Sequence, residues 1–324
     1  MIFSKKIKQI YKKTLMSRRD PDGTVFYYSA ADFPGLSATP ISFKNAEGDL
    51  LSGYVYSYPS PKENALVIFD HGMGSGHRAY MKEIEKLAAH GYTVISYDHT
   101  GCGESEGDGI GGFSGSLSDL DNVIRAVRSS EEFEKARISI VGHSWGAFST
   151  MNSVALHSDL TAIVAMSGFI SVESIQKEKV GGILSLWHKD IYNLESEKNP
   201  DYYSYNALES LASSDVPALI IHSEDDNVVS FKNNFLKLRD SLGSKDNISF
   251  VSVNGKAHNP NYTSEAVRYK DMYFKDLTAF KKTVKQPTEE QKQDFVSRYD
   301  FEKMTEQDDK IWQIIFDHLT NAYN

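Results

Sequence analysis

The chain is poor in cysteine: Cys102 is the single one in 324 residues, so no intrachain disulfide can form. One thiolate is also too few for a cysteine-built zinc site, and a reducing compartment, the cytoplasm, is the expected location. Excess positive charge is lacking too. Thirty-five Lys and Arg stand against 44 Asp and Glu, a net charge of −9, which disfavours nonspecific binding to nucleic acid. No apolar run approaches the roughly 18 residues of a membrane-spanning helix, and no signal-peptide core with a small-residue cleavage site opens the chain. Metal motifs of the H-E-x-x-H kind are missing, and the cluster Glu224-Asp225-Asp226 has no complementary ligands at useful spacing. Neither a metal nor a cofactor is expected. Internal repeats and low-complexity tracts are absent as well.

What is there is ordinary globular composition, 40% hydrophobic and 24% charged, enough for a sizeable buried core. The length suits one large α/β core with additions. Residues 1–20 carry Lys5, Lys6, Lys8, Lys12, Lys13, Arg18 and Arg19 among Ile2, Phe3, Ile7, Ile10, Tyr11 and Leu15, the pattern of a basic amphipathic helix. Surface docking is the plain reading; weak peripheral membrane contact is the sharper one, since such helices also lie at lipid interfaces.

From residue 39 the pattern becomes strand-like, with a hairpin expected from 41–44 and 50–58. Further strands are expected at 65–69, 92–97, 138–141, 162–166, 218–221 and 248–253, interleaved with helices, among them 80–90 and one starting near Ser118. Continuous apolar strands alternating with helices imply an α/β fold: a mostly parallel, eight-stranded sheet with an antiparallel start and helices on both faces. Two stretches depart from the alternation. Residues 169–214 are helical and hold Gly181, Gly182, Trp187, His188, Tyr192, Tyr202, Tyr203 and Tyr205, a composition suited to an aromatic-lined lid. Residues 259–324 also read as helical, with 285–293 as a polar connection before a last helix through Ile311, Ile314, Ile315 and Leu319. The expected division is an N-terminal basic segment at 1–38, a core at 39–168 and 215–275, a lid insertion at 169–214 and a C-terminal helical extension at 276–324.

The sharpest chemical signal is Gly142-His143-Ser144-Trp145-Gly146 between an apolar strand and a helix. A G-x-S-x-G turn in that setting is tight and strained, and it offers the serine Oγ above the sheet. A serine needs a base, and the base needs a partner that fixes its tautomer. Of ten histidines, His258 follows the last strand, where its loop would reach Ser144. The acid is expected in Glu224-Asp225-Asp226 after the strand 218–221, with Asp226 best spaced, Asp225 next and Glu224 last. Upstream, Asp70-His71-Gly72-Met73-Gly74-Ser75-Gly76 leaves its backbone open, so the amides of Met73 and Trp145 are candidates to bind a developing oxyanion. That loop fits no phosphate-binding motif. Asp98-His99-Thr100-Gly101-Cys102-Gly103-Glu104-Ser105 reads as a structural turn, with Cys102 no nucleophile. His71 and His143 are expected to brace their loops.

The order Ser144, Asp226, His258, with His71-Gly72-Met73-Gly74 upstream and Asp98-x-x-Gly101-x-Gly103-x-Ser105 between, resembles the α/β-hydrolase superfamily. Within it the chain is similar to the lysophospholipase, monoacylglycerol lipase and serine aminopeptidase-like branch over about residues 39–262. The resemblance implies an eight-stranded sheet, a lid inserted after the sixth strand at 169–214 and acyl-enzyme chemistry. It leaves the substrate open, because one core of this kind hosts esterases, lipases, thioesterases and peptidases. Hydrolysis of a small-molecule carboxylic ester is the first reading. A peptidase of the aminopeptidase type is the second and would need acidic groups near the lid, for which Glu195, Glu197 and Asp201 are available. A binding protein on the same fold is the third.

Overall fold

Strands that are apolar at every position must bury both faces, and that requirement organises this molecule. The computed structural model describes residues 2–74, 76–179 and 188–324, with residues 2–5 as backbone only. The chain opens with α1 (Ile2–Leu15), then β1 (Ser37–Lys44), β2 (Leu50–Ser57), β3 (Ala65–Asp70), α2 (Met81–Ala89), β4 (Thr93–Tyr97) and α3 (Gly115–Arg128). Next come β5 (Arg137–His143), α4 (Trp145–Ser153), β6 (Ala162–Met166), α5 (Val172–Lys179), α6 (His188–Lys198) and α7 (Ala207–Ala212). It ends with β7 (Ala218–Ser223), α8 (Phe235–Leu242), β8 (Ile248–Val253), α9 (Ser264–Thr283), α10 (Glu289–Ser297), α11 (Phe301–Met304) and α12 (Asp309–Tyr323).

All eight strands join one sheet in the order β1-β2-β4-β3-β5-β6-β7-β8. The pairs β1–β2 and β2–β4 are antiparallel and the rest are parallel. Every residue of β3, β6 and β7 is buried, while the edge strand β1 is exposed at six of its eight positions. One core layer sets Leu66, Ile68, Ile140 and Ile163 of the sheet against Leu120, Ile124, Met151, Leu211 and Phe235 of α3, α4, α7 and α8. The opposite layer sets Val67, Phe69, Val141, Val164 and Leu219 against Ile84 and Leu87 of α2 and Ile311, Trp312, Ile315 and Leu319 of α12. The last helix thus completes one face of the sheet.

Three expectations are corrected. The helix expected near Ser118 starts at Gly115. The stretch 285–293, expected as a polar connection, runs into α10 from Glu289. Thr288 Oγ1 accepts from the Gln291 N–H at 3.3 Å and the Gln291 side chain accepts from the Thr288 N–H at 3.0 Å, a capping box that starts a helix in a polar sequence. The core limit at 275 falls inside the unbroken helix α9. Between β6 and β7, the described part of 169–214 is helical (α5, α6 and α7); Gly181, Gly182 and Trp187 lie outside the described residues.

The N-terminal helix docks on α6. Tyr11 is buried among Phe113, Phe148, Phe169, Ile175 and Leu194, and its hydroxyl donates to Glu195 Oε1 at 2.7 Å. Beyond α1, Arg18 donates to the carbonyls of Gly103, Ser105 and Gly107 at 2.7, 2.8 and 3.0 Å. These bonds tie the segment to the turn after β4.

Candidate active site

β5 ends at His143, α4 begins at Trp145, and Ser144 is the single residue between them. Its backbone sits at φ 56° and ψ −110°, a conformation that costs a non-glycine residue of order 1–3 kcal/mol. A Cβ on Gly146 would strike the carbonyl groups of Asp70 and His71, and one on Gly142 would meet Thr150 and the Gly146 carbonyl, so only glycine lets strand and helix close this far. The Ser144 N–H donates to the Met166 carbonyl of β6 at 2.8 Å, which holds the turn in place.

The turn delivers Ser144 Oγ to 2.8 Å from His258 Nε2, and His258 Nδ1 lies 2.8 Å from Asp226 Oδ2. A carboxylate only accepts, so Nδ1 carries the proton and Nε2 accepts from the serine hydroxyl. Burial pushes the Asp226 carboxyl up, and hydrogen bonds from His222 and His258 outweigh it and hold the pKa well below the usual carboxylate range. Asp226 Oδ1 also takes the N–H groups of Val228 and Val229 at 2.8 and 2.9 Å.

Each of the three adjacent carboxylates has its own task. Asp225 accepts from Ser223 Oγ at 2.5 Å and from the N–H groups of Gly255, Lys256 and Ala257 at 3.0, 3.2 and 3.3 Å, which fastens the loop carrying His258. Glu224 accepts from Ser252 Oγ at 3.1 Å on β8. Asp226 alone among them meets the imidazole.

His143 and His71 are bracing groups. Tyr80 donates to His143 Nδ1 at 2.9 Å, and His143 Nε2 donates to the His258 carbonyl at 2.7 Å. Burial and the His258 ring pull the His143 pKa down to about 3. His71 Nδ1 donates to the Gly72 carbonyl at 2.7 Å and Nε2 accepts from the His99 N–H at 3.0 Å; burial and His99 bring its pKa down to about 3. Both rings are neutral at pH 7, and each commits its single N–H to a backbone carbonyl. Asp98 takes the N–H groups of His77 and Glu104 at 2.7 and 2.8 Å, so its turn is structural. Cys102 is fully buried, and burial pushes its thiol well above the usual range.

Ser144 opens onto a cavity of about 1060 Å³. Met73 and Trp145 line it, and the Trp145 amide, as the first of α4, has no acceptor within its own helix. The apolar wall is Leu15, Phe113, Phe169, Ile175, Val229 and Phe274. Here two expectations fail among the described residues. The lid aromatics Tyr192, Tyr202, Tyr203 and Tyr205 do not line the cavity: Tyr192 packs edge-on against Tyr203, and Tyr202 donates to Asp121 at 2.8 Å. Nor do Glu195, Glu197 and Asp201. Glu195 is buried and accepts from Tyr11, the N–H groups of Phe113 and Ser114, and Ser114 Oγ; Glu197 faces Lys8 at 4.0 Å; Asp201 lines a separate surface pocket.

Sequence reasoning also missed contributors. His222, the second-last residue of β7, comes within 3.1 Å of Asp226 Oδ2 and 3.0 Å of the Val229 carbonyl. Its place four residues before the acid was the available signal. The ends of α1 (Thr14, Leu15) and the first half of α9 (Val267, Arg268, Lys270, Asp271, Phe274) reach the same cavity, and no local motif marks them.

Residues 61–209 match the family model described as serine aminopeptidase S33, just under half of the chain. The uncharacterized protein YfhR of Salmonella typhimurium is 26% identical over 229 residues, 66% of this chain and 71% of that protein. A monoglyceride lipase homolog of Monkeypox virus is 26% identical over 139 residues, 41% of this chain and 50% of that one. Among solved structures, the Pyrococcus furiosus esterase Pf2001 superposes with a TM-score of 0.58 at 20% identity, over 87% of this chain and 98% of that one. The sheet order, the strained serine turn and these similarities agree on the fold: the chain has an α/β-hydrolase fold, and it is similar over part of its length to the serine aminopeptidase S33 family model and to a monoglyceride lipase homolog.

Proposed function

We propose that the chain is a serine hydrolase that cleaves carboxylic esters through an acyl-enzyme on Ser144. The observation that carries the reading is the unbroken hydrogen-bond chain from Ser144 Oγ through His258 to Asp226, at the floor of an open and largely apolar cavity. His258 Nε2 takes the Ser144 proton as Oγ attacks the ester carbonyl carbon. The amides of Met73 and Trp145 receive the oxyanion, and Asp226 stabilises the imidazolium. His258 then hands its proton to the departing alcohol, and the same ring activates a water that releases the acid.

The low pKa of Asp226 supports its part, since a carboxylate that stays ionised stabilises a positive imidazole throughout the cycle. Phe113, Phe169, Ile175 and Val229 supply a surface for an aliphatic or aromatic portion of the substrate. The description of the matching family model favours peptide cleavage as the second reading. Among the described residues, Glu195, Glu197 and Asp201 do not line the cavity, and the two carboxylates that do are engaged, Asp225 by the His258 loop and Asp271 by Lys275, which weighs toward the ester.

Turnover of p-nitrophenyl esters of increasing acyl length, by the chain and by Ser144→Ala, tests the proposal. Hydrolysis lost in the variant supports it, and the length profile sizes the acyl pocket. Release of aminoacyl p-nitroanilides with no ester turnover would transfer the reading to the peptidase.

A further inference from the structure

The wall formed by α9 brings Arg268, Lys270 and Asp271 to the cavity that holds Ser144 and His258, and the end of α5 brings Lys179 to it. Most of these charges are already matched. Arg268 donates to Glu265 at 2.7 Å, Asp271 pairs with Lys275 at 2.7 Å, Lys179 donates to the Val228 carbonyl, and Asp225 is committed to the His258 loop. Lys270 is different. Half-buried in the wall, it makes no ion pair among the described residues; its Nζ donates to Asn259 Oδ1 at 3.1 Å and lies 4.8 Å from the centre of the Tyr262 ring.

The Glu83 charge acts on Lys270 as well, but the two form no ion pair, and Glu83 Oε1 accepts from the Asn261 amide at 3.0 Å. Two of the three ammonium donors therefore have no described protein acceptor. Desolvation pulls the pKa down to about 8, which still leaves the group mostly charged at pH 7. A cation held by Asn259 and Tyr262 and short of oxygen acceptors is a site for an anion. Its position is close to the chemistry, because Asn259 follows His258 directly and the Lys270 charge acts on His143 beside Ser144.

We propose that Lys270 is a specificity residue that selects esters carrying an oxyanion, a carboxylate or a phosphate, over neutral esters of equal length. The inference rests on the ester reading of the site and narrows its substrate class. The anion would displace water from the two open donors of Lys270 while the ester carbonyl sits over Ser144. An alternative role is purely structural: Lys270 could position Asn259 and, through it, the His258 loop. A brace of that kind would affect all esters alike.

Binding to Ser144→Ala separates the two roles and does not depend on turnover. Dissociation constants are measured by titration calorimetry for two pairs, monomethyl adipate against methyl hexanoate and hexanoyl lysophosphatidate against monohexanoylglycerol. In at least one pair the anionic member is expected to bind roughly tenfold tighter, the scale of one charge-assisted hydrogen bond. Adding Lys270→Met is expected to bring that ratio to near one. The adipate pair would place the anion on the acyl side, and the lysophosphatidate pair on the alcohol side. Lys270→Gln repeats the measurement with a polar, uncharged side chain, in case the methionine disturbs the fold. Equal binding within both pairs, or a preference that survives both substitutions, overturns the proposal. A preference that vanishes with Lys270 in a chain that hydrolyses no ester would instead leave the anion site standing and end the ester reading.

Discussion

At the scale of single residues, local chemistry and remote chemistry differ in how legible they are. Ser144 could be read because its turn is written in five consecutive residues, and the glycines at 142 and 146 are required by the backbone contacts each makes. Asp226 could be singled out only as the best of three, because which carboxylate faces the imidazole depends on the loop from Val253 to His258, where Asp225 is consumed by three N–H groups. That division makes a prediction. Asp226→Asn should lower kcat by roughly ten-thousandfold, since the wrong imidazole tautomer is then favoured. Asp225→Asn should instead loosen the His258 loop and lower thermal stability along with activity, which unfolding curves for the two variants would separate.

His99 was read as part of a turn and is more than that. Its Nε2 lies 2.9 Å from Asp70 Oδ1, off the line of a hydrogen bond, and its Nδ1 lies 3.3 Å from Asp119 Oδ2, all fully or nearly buried. Burial pulls its pKa down, and the two carboxylates outweigh burial and hold it at about 9. A pKa raised on folding gives stability that is complete below the unfolded value near 6.5 and is lost as pH rises through the folded value. His99→Gln should thus be less stable than the parent by about 3 kcal/mol near pH 6, with the gap narrowing between about pH 6.5 and 9 and levelling off above. Urea titrations of both proteins across that range would show a constant gap if the imidazole were neutral throughout.

At the scale of elements, strands were the most legible because a buried parallel strand is apolar at every position; β6 and β8 fall at 162–166 and 248–253, as expected from sequence. Helix starts governed by caps were harder. Nothing apolar announces α10, which begins because Thr288 and Gln291 satisfy each other's backbone N–H groups. The basic pattern of α1 was visible, but not what it docks on. Tyr11 reaches a carboxylate 184 positions away, and no local signal encodes that contact. Tyr11→Phe removes one donor from buried Glu195, a loss of about 1–3 kcal/mol felt where α1 meets α6. Limited proteolysis should then cut within α1 faster while fragments of the sheet persist; unchanged cleavage would mean that packing alone holds the helix.

At the scale of the whole molecule, the fold class followed from alternation alone, whereas the assembly of the cavity did not. Its walls come from α1, the loop after β3, α5, the loop after β7 and α9, segments far apart in the chain. Only the sheet brings them to one edge. The C-terminal extension has a comparable role in stability, because Trp312, Ile315 and Leu319 are almost completely buried against the sheet. Ile315→Ala should cost about 2–5 kcal/mol, the range for truncating a fully buried aliphatic residue, measured as a shift in the urea midpoint. A change within 0.5 kcal/mol, ordinary for a surface site, would show that α12 is not part of the core.

The central claim is that Ser144 is an activated nucleophile, and fluorophosphonate labelling followed by peptide mass spectrometry tests it most directly. A phosphonate on Ser144 alone, absent in His258→Ala and in Ser144→Ala, is the predicted result. An unlabelled Ser144 in folded protein, or labelling that persists without His258, would contradict the account.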